Sequence, residues 1–386
     1  MGNRLESNYQ SLKLKNPLLA ASAGTTKDVE HAKRAEDAGF AAVVLKSIQE
    51  EVVHRYNPFP RFAYIRNGIP GFSADTFYSY EQAYEYGIEE YANEIRRVKE
   101  AIKIPTIASI NCVSIENWVS YSKCAAEAGA DALELVPSCP IGMFLREGID
   151  LDSIAVDVLK QVKNAVKIPV SIKLSLQLSN PARTALKLQE AGADGVIMFN
   201  RMTGIDIDIE QQRPILHGGV AGHGGPWVIQ SNLRWIIEAA KHLTIPVSAS
   251  GGVTRWEDVI KYLLAGASTV QIGTLIYLKE FQVVQEVLQG IESYLEKENV
   301  FSVAALRGRA AQNFLSLDAA DRSKKYVAEV NDSECTHCRR CAPVCIYGAL
   351  SFKSEVPEID PALCDGCGLC SQVCPKRNVI VMNPRV

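Results

Sequence analysis

Short runs of β-branched and other apolar residues alternate with helical patterns from residue 16 to about residue 275. The runs include AAVVLKS, PTIASIN and PVSIKLS, and the helical segments often end in Ala-Gly, as in EDAG and AAEAG. Such a glycine supplies the left-handed helix stop, and the proline of a repeated Ile-Pro pair occupies a strand's first position. Eight strands alternating with helices predict an α/β fold, a closed (β/α)8 TIM barrel. A doubly wound open sheet is the alternative, disfavoured because no GxGxxG motif opens the first helix.

Two connections in this pattern are unusually long. Residues 48–91 are rich in aromatic side chains, and residues 202–230 are rich in glycine. Both connections could be surface loops that contribute to no functional site. We favour a lid and a wall over an active site, because both segments follow barrel strands on the face where catalytic groups of such barrels lie.

Composition and charge narrow the class of protein. The chain has 386 residues, 47% apolar and 22% charged, which are ordinary values for a well-packed soluble protein. The net charge of −3 argues against broad binding to nucleic acid or to anionic membranes. The N-terminus lacks a signal-peptide pattern, and no apolar run reaches the roughly 20 residues of a membrane span, so a cytoplasmic location is expected.

Eight of the eleven cysteines form two runs of the spacing C-x2-C-x2-C-x3-C. In this spacing three thiolates bind one [4Fe–4S] cluster and the fourth binds its neighbour. One cluster is expected on Cys335, Cys338, Cys341 and Cys374, and the other on Cys364, Cys367, Cys370 and Cys345. Zinc is disfavoured because a closed zinc site takes four ligands without this triplet-plus-one repeat.

These patterns predict three segments. Residues 1–300 are expected to form the barrel, 301–330 a linker, and 331–386 a small ferredoxin-like domain with two [4Fe–4S] clusters. Ile346 stands where a proline often follows the first cysteine run, which should alter a local turn without removing a ligand. Cluster binding should supply much of the folding free energy of so small a domain.

A barrel that carries clusters needs a group that couples single-electron transfer to two-electron chemistry, and a flavin does this. The phosphate site of such barrels usually follows strands 7 and 8. Here these strands end in SGG and IGT, which supply Gly251, Gly252, Gly273 and Thr274. Glycines also occur in plain turns, so this pattern alone is only moderately specific.

Four polar residues in or beside the predicted strands are further candidates. Lys46 and Lys173 interrupt apolar strand patterns. Burying a cation there costs free energy unless it is paired with an anion. Lys173 is expected near flavin N1 and O2, the alternative being an outward salt bridge. Asn111 and Asn200 end strands 3 and 6 and are candidate hydrogen-bonding groups for ring or substrate, unless they are turn residues.

Motifs over nearly the whole chain resemble those of the dihydroorotate dehydrogenase superfamily. They are NPLLAASAG, VLKS, ASIN, ADALELVPSCP, SIKLS, ASGG and QIGT, with both cysteine runs. The chain is most similar to the subunits of bacterial NAD-dependent dihydropyrimidine dehydrogenase that join an FMN barrel to a two-cluster tail. The resemblance implies that Cys139 and Lys46 are catalytic, with Cys139 as general acid or base. It implies FMN contacts from Ala21, Ser22, Lys46, Asn111, Lys173, Asn200, Gly225, Gly251, Gly252, Gly273 and Thr274.

The chemistry supports Cys139 separately. Adding hydrogen across an activated C=C bond needs hydride from flavin N5 at one carbon and a proton at the next. A thiol with an ordinary pKa near 8.5 is mostly protonated at neutral pH and can donate that proton. Cys139 follows strand 4 in a loop over the barrel mouth, where catalytic groups belong. The alternative is a buried, structural cysteine, as we assume for Cys112 and Cys124.

Three departures from the family pattern concern the substrate. Val136 stands where the family usually has a pyrimidine-binding asparagine, Ile141 replaces a common polar residue, and Arg201 replaces a small polar residue. An unpaired polar group in a pyrimidine site costs roughly 1–3 kcal/mol. The pocket is therefore expected to be more apolar on one side and to offer Arg201 or Arg146 to a carboxylate.

The expected activity is oxidation or reduction of an activated CH–CH or C=C bond in a small cyclic substrate. A pyrimidine is the first candidate, and another heterocycle or an enoate is the alternative. Electrons would come from an FAD- and NAD(P)H-binding subunit or from ferredoxin, and a homodimer or hetero-oligomer is expected. A non-catalytic electron-transfer subunit is a competing hypothesis. A metal-dependent aldolase has little support, as no His/Asp/Glu set lies at successive strand ends.

Overall fold

A computed structural model gives the architecture of the protein. It describes residues 3–50, 61–66, 68–69, 72–73, 75–79, 87–137, 150–215, 221–315, 319, 323, 325–352 and 354–385. The chain divides into two compact units, residues 1–314 and 315–386. Among the described residues, no helix is long and apolar enough to cross a bilayer.

Eight parallel strands of the first unit form a closed barrel. They are β1 (Leu18–Ala20), β2 (Ala42–Val44), β3 (Thr106–Asn111), β4 (Ala132–Leu135), β5 (Val170–Ser175), β6 (Gly195–Asn200), β7 (Val247–Ser250) and β8 (Thr269–Ile272). Each strand pairs with the next, and β8 pairs with β1 through Val270–Leu18 and its neighbours. The predicted TIM barrel is thereby confirmed, and the open sheet is excluded.

Helices surround the barrel in strict alternation with its strands. They are α1 (Val29–Ala38), α2 (Ile88–Ala101), α3 (Ile115–Glu127), α4 (Leu151–Ala165), α5 (Pro181–Glu190), α6 (Ile229–Ala240), α7 (Trp256–Ala265) and α8 (Thr274–Lys279). Asp28, Ser114, Asp150 and Asn180 cap α1, α3, α4 and α5, because their side chains accept a backbone N–H of the first turn. Gly39 ends α1 with a φ of 108°, as the Ala-Gly pattern predicts.

Further elements complete the first unit. A hairpin of Ser7–Tyr9 and Leu12–Leu14 precedes β1, and Ile48–Gln49 pairs with the end of β3. Single turns of 3-10 helix lie at Gly24–Thr26 and Pro226–Val228. After α8 come α9 (Val283–Lys297), α10 (Val303–Leu306) and α11 (Arg309–Gln312). Both short helices that begin after residue 300 belong to the first compact unit.

The two long connections meet in one antiparallel sheet, which we call the cap sheet. Its strands are, in spatial order, Met202–Gly204, Ala221–Gly224, Thr76–Ser79 and Phe62–Ile65. The first two come from the glycine-rich connection after β6, and the last two from the aromatic connection after β2. Two small strand pairs lie in the connections between these cap strands, Gly68–Ile69 with Phe72–Ser73 and Ile207–Asp208 with Arg213–Pro214.

The second unit is built from short elements. Tyr326–Val330 pairs antiparallel with Ile380–Pro384, and Leu350–Ser351 pairs with Glu358–Ile359. A 3-10 turn lies at Asp332–Glu334, and a one-turn helix at Leu369–Gln372. Its buried core is small, consisting of Ala328, Cys341, Val379 and Ile380, and four other cysteines are among the partly buried residues that pack against it.

Candidate active site and cluster sites

A large cavity lies at the ends of the barrel strands beneath the cap sheet. It is lined by nine of the predicted FMN contacts, namely Ala21, Ser22, Lys173, Asn200, Gly225, Gly251, Gly252, Gly273 and Thr274. Lys46 and Asn111 are not among its lining residues. Cys139, Ile141 and Arg146 lie outside the described residues. One cavity therefore collects side chains and loops that are far apart in the sequence.

Lys173 points into the barrel and takes part in a buried polar triangle. Its Nζ donates to Oε1 of Glu134 at 3.1 Å and to Oε1 of Gln271 at 2.9 Å. Nε2 of Gln271 donates to Oε2 of Glu134 at 2.7 Å. Lys173 is 6% exposed, and Glu134 and Gln271 are 1% exposed. The triangle holds the ammonium group at the cavity wall, and the outward salt bridge considered for Lys173 is not what forms.

The loop after β7 is shaped by two left-handed glycines. Gly251 and Gly252 have φ values of 105° and 73°, which residues other than glycine rarely adopt. A Cβ at Gly252 would lie 2.6 Å from Cγ1 of Ile229. The hydroxyl of Tyr262 donates to the Gly251 carbonyl at 2.7 Å and accepts from Nδ2 of Asn232 at 2.9 Å. These hydrogen bonds fix the backbone of a loop that lines the cavity.

Gly225 lies at a close approach between the ends of two cap strands, because it follows Ala221–Gly224 and Asp75 precedes Thr76–Ser79. A Cβ there would lie 2.2 Å from the carbonyl oxygen of Asp75 and 2.7 Å from Nε1 of Trp227. Nε1 of Trp227 donates to Oγ1 of Thr76 at 3.2 Å, next to Asp75. A side chain at Gly225 would therefore separate these segments.

Aromatic side chains hold the cap sheet against the end of the barrel. Phe62 and Phe77 stack with their ring centroids 5.6 Å apart. Tyr277 of α8 packs against both rings, at 5.4 Å from Phe62 and 5.8 Å from Phe77. Because Phe77 and Tyr277 both line the cavity, this cluster forms part of its wall. The finding agrees with the interpretation of the long connections as a lid and a wall.

Arg201 lies across the cap sheet at the edge of the cavity. Its Nη1 donates to the carbonyl of Ser79 at 3.2 Å, and its guanidinium covers Gly222, where a Cβ would lie 2.8 Å from Cζ. Gly222 and Ser79 are register partners on neighbouring strands. Within the described part of the chain, Arg201 has no ion pair with a carboxylate. Its guanidinium group lies at the cavity wall.

His223 lines the same wall from the neighbouring strand position. Its ring stacks on Tyr78 at 5.1 Å and contacts Trp227 at 5.5 Å. Burial lowers the pKa of His223 below its ordinary value, so the ring is neutral at neutral pH. Its Nδ1 is buried and has no hydrogen-bond partner among the described residues.

Asn111 and Val136 lie at the ends of neighbouring strands. Asn111 ends β3 and is 2% exposed, and its Oδ1 has no hydrogen-bond partner among the described residues. Val136 follows β4, is 6% exposed, and its backbone N–H donates to the Ile110 carbonyl at 2.9 Å. Lys46 lies two residues beyond β2, where its backbone N–H donates to the Thr26 carbonyl. Val136 is therefore a buried apolar residue after β4, and it is not among the residues that line the cavity.

The eight cysteines of the second unit line two separate cavities. The first cavity is lined by Cys335, Cys338, Cys341 and Cys374. The second is lined by Cys345, Cys364, Cys367 and Cys370. Each cavity thus has three thiols of one run and the last thiol of the other. All eight are free of disulfide bonds. Within the described residues, no three His, Cys, Asp or Glu side chains are close enough to hold a single metal ion.

The two cysteine runs adopt the same backbone path. His337 and Arg339 have a φ of 55°, and the corresponding Gly366 and Gly368 have φ values of 77° and 76°. The second run uses glycine at both left-handed positions, whereas the first carries side chains there at some cost in conformational energy. The two runs therefore share the same pattern of left-handed backbone positions.

The residues present fit both kinds of cofactor. Closely packed glycine loops and the Lys173 ammonium suit the phosphate and the ring of a flavin. The buried amide oxygen of Asn111, which has no hydrogen-bond partner among the described residues, is an acceptor near the strand ends. Four thiols around each of two cavities suit two cubane clusters.

Sequence reasoning missed Glu134 and Gln271. The signal that singled out Lys173 was a charged residue inside an apolar strand, and Glu134 in ALEL and Gln271 in TVQI carry the same signal. Burying polar side chains inside a barrel costs free energy unless they form hydrogen bonds with each other or with a ligand. Applied to every strand, that criterion would have found all three residues.

Comparison with known proteins identifies both units. Residues 4–295 match the dihydroorotate dehydrogenase family, and residues 334–378 match the 4Fe-4S dicluster domain. The catalytic subunit of dihydroorotate dehydrogenase B (NAD(+)) from Pyrococcus abyssi is 36% identical, covering 79% of this chain and 99% of that protein. The NAD-dependent dihydropyrimidine dehydrogenase subunit PreA from Escherichia coli is 29% identical, covering 96% of this chain and 93% of that protein.

The predicted resemblance is confirmed, as are the two kinds of cofactor, FMN for the family and two [4Fe–4S] clusters for the dicluster domain. Enzymes of this kind are oxidoreductases that act on CH–CH groups. The chain belongs to the dihydroorotate dehydrogenase family and carries a 4Fe-4S dicluster domain at its C-terminal end.

Proposed function

We propose that this chain catalyses reduction or oxidation of an activated CH–CH or C=C bond in a small cyclic substrate, with electrons relayed through its clusters. The observation that carries the proposal is the buried ammonium of Lys173 at the wall of a cavity that is also lined by the glycine loops after β7 and β8. When bound, FMN exchanges hydride with a substrate carbon and single electrons with the clusters.

The residues of the barrel have separate roles in this proposal. Gly251, Gly252, Gly273 and Thr274 would bind the FMN phosphate through backbone N–H groups. Lys173, fixed by Glu134 and Gln271, would place its positive charge beside N1 and O2 of the ring, where charge accumulates on reduction. A cation already fixed by two acceptors needs little reorganisation as that charge develops.

Cys139 would transfer the substrate proton. A thiol that stays protonated at neutral pH can donate a proton to the carbon next to the one that receives hydride, and its thiolate can take the proton back in the reverse direction. Lys46 and Asn111 would complete the site from the ends of β2 and β3, Lys46 as a catalytic residue and Asn111 as a ring contact. The cap sheet would exclude water from the reacting groups.

The eight cysteines would hold the two clusters in the sets that line the two cavities. Cys335, Cys338, Cys341 and Cys374 would hold one, and Cys345, Cys364, Cys367 and Cys370 the other. Since the sequence has no dinucleotide fingerprint, NAD(P)H would react on a separate FAD-bearing subunit or be replaced by ferredoxin. The name of the Escherichia coli relative, an NAD-dependent enzyme's subunit, supports the first arrangement. The assembly would be a homodimer or a hetero-oligomer.

The substrate would be a pyrimidine or a related ring, and two residues bear on the choice. The resemblance implies a pyrimidine-binding amide at the position of Val136, whose side chain is apolar, whereas Arg201 places a cation at the cavity wall. A carboxylate on the substrate would pair with that cation. This combination favours a ring with a carboxylate over uracil or thymine, and a non-pyrimidine heterocycle or an enoate with a carboxylate would meet the same requirement.

Turnover of the anaerobic holoenzyme with reduced methyl viologen tests the proposal. Uracil, thymine and orotate are supplied in turn, and oxidation of the dye is followed. We expect turnover with orotate to exceed that with uracil, and Arg201→Met to remove this preference. Cys139→Ala should abolish turnover while flavin and clusters are still reduced by the dye. A wild-type enzyme that turns over none of the three would eliminate the pyrimidine assignment.

A further inference from the structure

The two cysteine-lined cavities differ in the charge around them. Arg339 and Arg340 line the first cavity, and no acidic residue of the described chain does. Asp365 lines the second cavity, which has no basic lining residue in the described chain. Lys376 and Arg377 add to the basic side, because they lie between Cys374 and Val379, both of which line the first cavity. We call Arg339, Arg340, Lys376 and Arg377 the basic rim.

Neighbouring acidic residues neutralise this rim only in part. Nζ of Lys376 lies 3.8 Å from Oε2 of Glu334, and Nδ1 of His337 lies 3.4 Å from Oε2 of Glu355. Arg339 lies over the Phe352 ring, 5.1 Å from its centroid. Arg340 and Arg377 are exposed, and neither has an acidic partner within the described part of the chain. The rim therefore keeps a positive excess that a partner could meet.

The backbone of the first run is a second, separate observation. His337 and Arg339 occupy left-handed positions at φ 55°, where the second run has Gly366 and Gly368. Side chains kept at conformationally costly positions are candidates for function. They flank Cys338, the exposed thiol of the first cavity. The first run thus carries a histidine and an arginine side chain beside its exposed thiol, at the positions where the second run has glycine.

We propose that the basic rim is the docking surface for an acidic electron-transfer protein, and that electrons enter or leave the chain at the cluster held by Cys335, Cys338, Cys341 and Cys374. The inference rests on the proposed function, because it requires that both clusters be present. In the transfer the donor loses one electron and the cluster gains it, with no bond made or broken. Charge complementarity raises the rate of encounter and makes it dependent on salt.

Stopped-flow reduction of the anaerobic, full-length holoenzyme tests this docking surface. The donors are reduced flavodoxin of strongly negative net charge and reduced methyl viologen, which is small and cationic. Arg340→Glu/Arg377→Glu reverses two charges of the rim. Lys325→Glu/Arg385→Glu is the matched control, since it reverses two charges at the other end of the Tyr326–Val330 strand pair, beside Gly366 of the second cavity. Labile sulfide is measured in every variant.

We expect the second-order rate with flavodoxin to fall at least tenfold between 20 and 300 mM NaCl, and at least tenfold in the rim variant at 20 mM NaCl. The control variant should change it less than threefold, and methyl viologen should reduce the rim variant no more slowly than wild type. Equal slowing of both variants, or a rate independent of salt, would overturn the docking surface. Wild-type protein without labile sulfide would instead overturn the proposed function.

Discussion

The Nζ atom of Lys173 lies 3.1 Å from Oε1 of Glu134 in the interior of the barrel, where the side chain of Lys173 is 7% exposed and that of Glu134 is 1% exposed. The two residues lie on neighbouring strands, and Gln271 closes the triangle from β8, across the barrel. Two opposite charges taken out of water must compensate each other, because each alone carries a large desolvation penalty.

The first prediction concerns this pair. Glu134→Gln and Lys173→Met should each lower the free energy of unfolding by about 3–5 kcal/mol, because each leaves a buried charge without its partner. The double variant should lose less than the sum of the two losses. Urea unfolding of the holoenzyme, followed by tryptophan fluorescence, gives the four values of this double-mutant cycle. Strictly additive losses would show that the two charges are not coupled.

The second prediction concerns the contact between Gly225 and Asp75. Gly225→Ala places a methyl group 2.2 Å from a backbone oxygen, which cannot move as a side chain can. We expect a loss of about 1–3 kcal/mol of stability and a lower content of bound FMN. Gly224→Ala is the matched control, because a Cβ there meets nothing within 4 Å. Similar FMN content in the two variants would contradict this account of the contact between Gly225 and Asp75.

A third prediction separates strain from steric overlap in the second cysteine run. Gly366 and Gly368 have nearly equal φ values, 77° and 76°, so alanine costs about 1–2 kcal/mol of strain at either position. At Gly366 the Cβ would also lie 2.4 Å from the carbonyl oxygen of Tyr326, whereas at Gly368 it meets Met382 at an ordinary 3.8 Å. Gly366→Ala should therefore lose iron and labile sulfide, and Gly368→Ala should retain most of both. The reverse order would refute the steric explanation.

The fourth prediction concerns pH. Burial lowers the pKa of His223 in the folded protein, so the unfolded chain binds the proton more tightly. The contribution of His223 to stability is therefore fully present above its unfolded pKa, near 6.5, and is lost as pH falls through that value toward the lower folded pKa. Release of flavin fluorescence on heating, measured from pH 8 to pH 5, reports this change at the cap sheet.

His223→Phe is the comparison variant for that measurement, because it keeps an aromatic ring beside Tyr78 and removes the titrating group. Wild type should lose more thermal stability than the variant between pH 7 and pH 5. Parallel curves for the two proteins would mean that His223 does not titrate differently in the folded and unfolded states.

The barrel, the dicluster domain and many of the residues that line the cavity could be predicted from the sequence, because each depends on local patterns. The apolar strands, the Ala-Gly stops that end α1 at Gly39, and the cysteine spacing are all contained in short segments. Lys173 could be singled out because a cation inside a strand such as VSIKLS needs an explanation.

The remaining features depend on pairing between distant segments. The cap sheet joins Thr76–Ser79 to Ala221–Gly224, and no local pattern specifies that register. Likewise, the partners of Lys173 follow only from barrel closure, which places β8 across the barrel from β4 and brings Gln271 within reach of Lys173. The contact of Arg201 with Ser79 across Gly222 is a consequence of the same long-range register. These contacts are fixed only by the three-dimensional structure, because the local sequence is compatible with several registers and side-chain pairings.

Anaerobic reductive titration of the purified holoenzyme, followed by visible absorption and electron paramagnetic resonance, tests the central claim most directly. A barrel-bound FMN connected to two cubane clusters should take up about four electron equivalents per chain, two in the flavin and one in each cluster. The flavin band near 450 nm should bleach in the same titration that produces the signals of reduced clusters. Protein that takes up electrons without a flavin band, or that has a flavin but no cluster signals, would contradict the account.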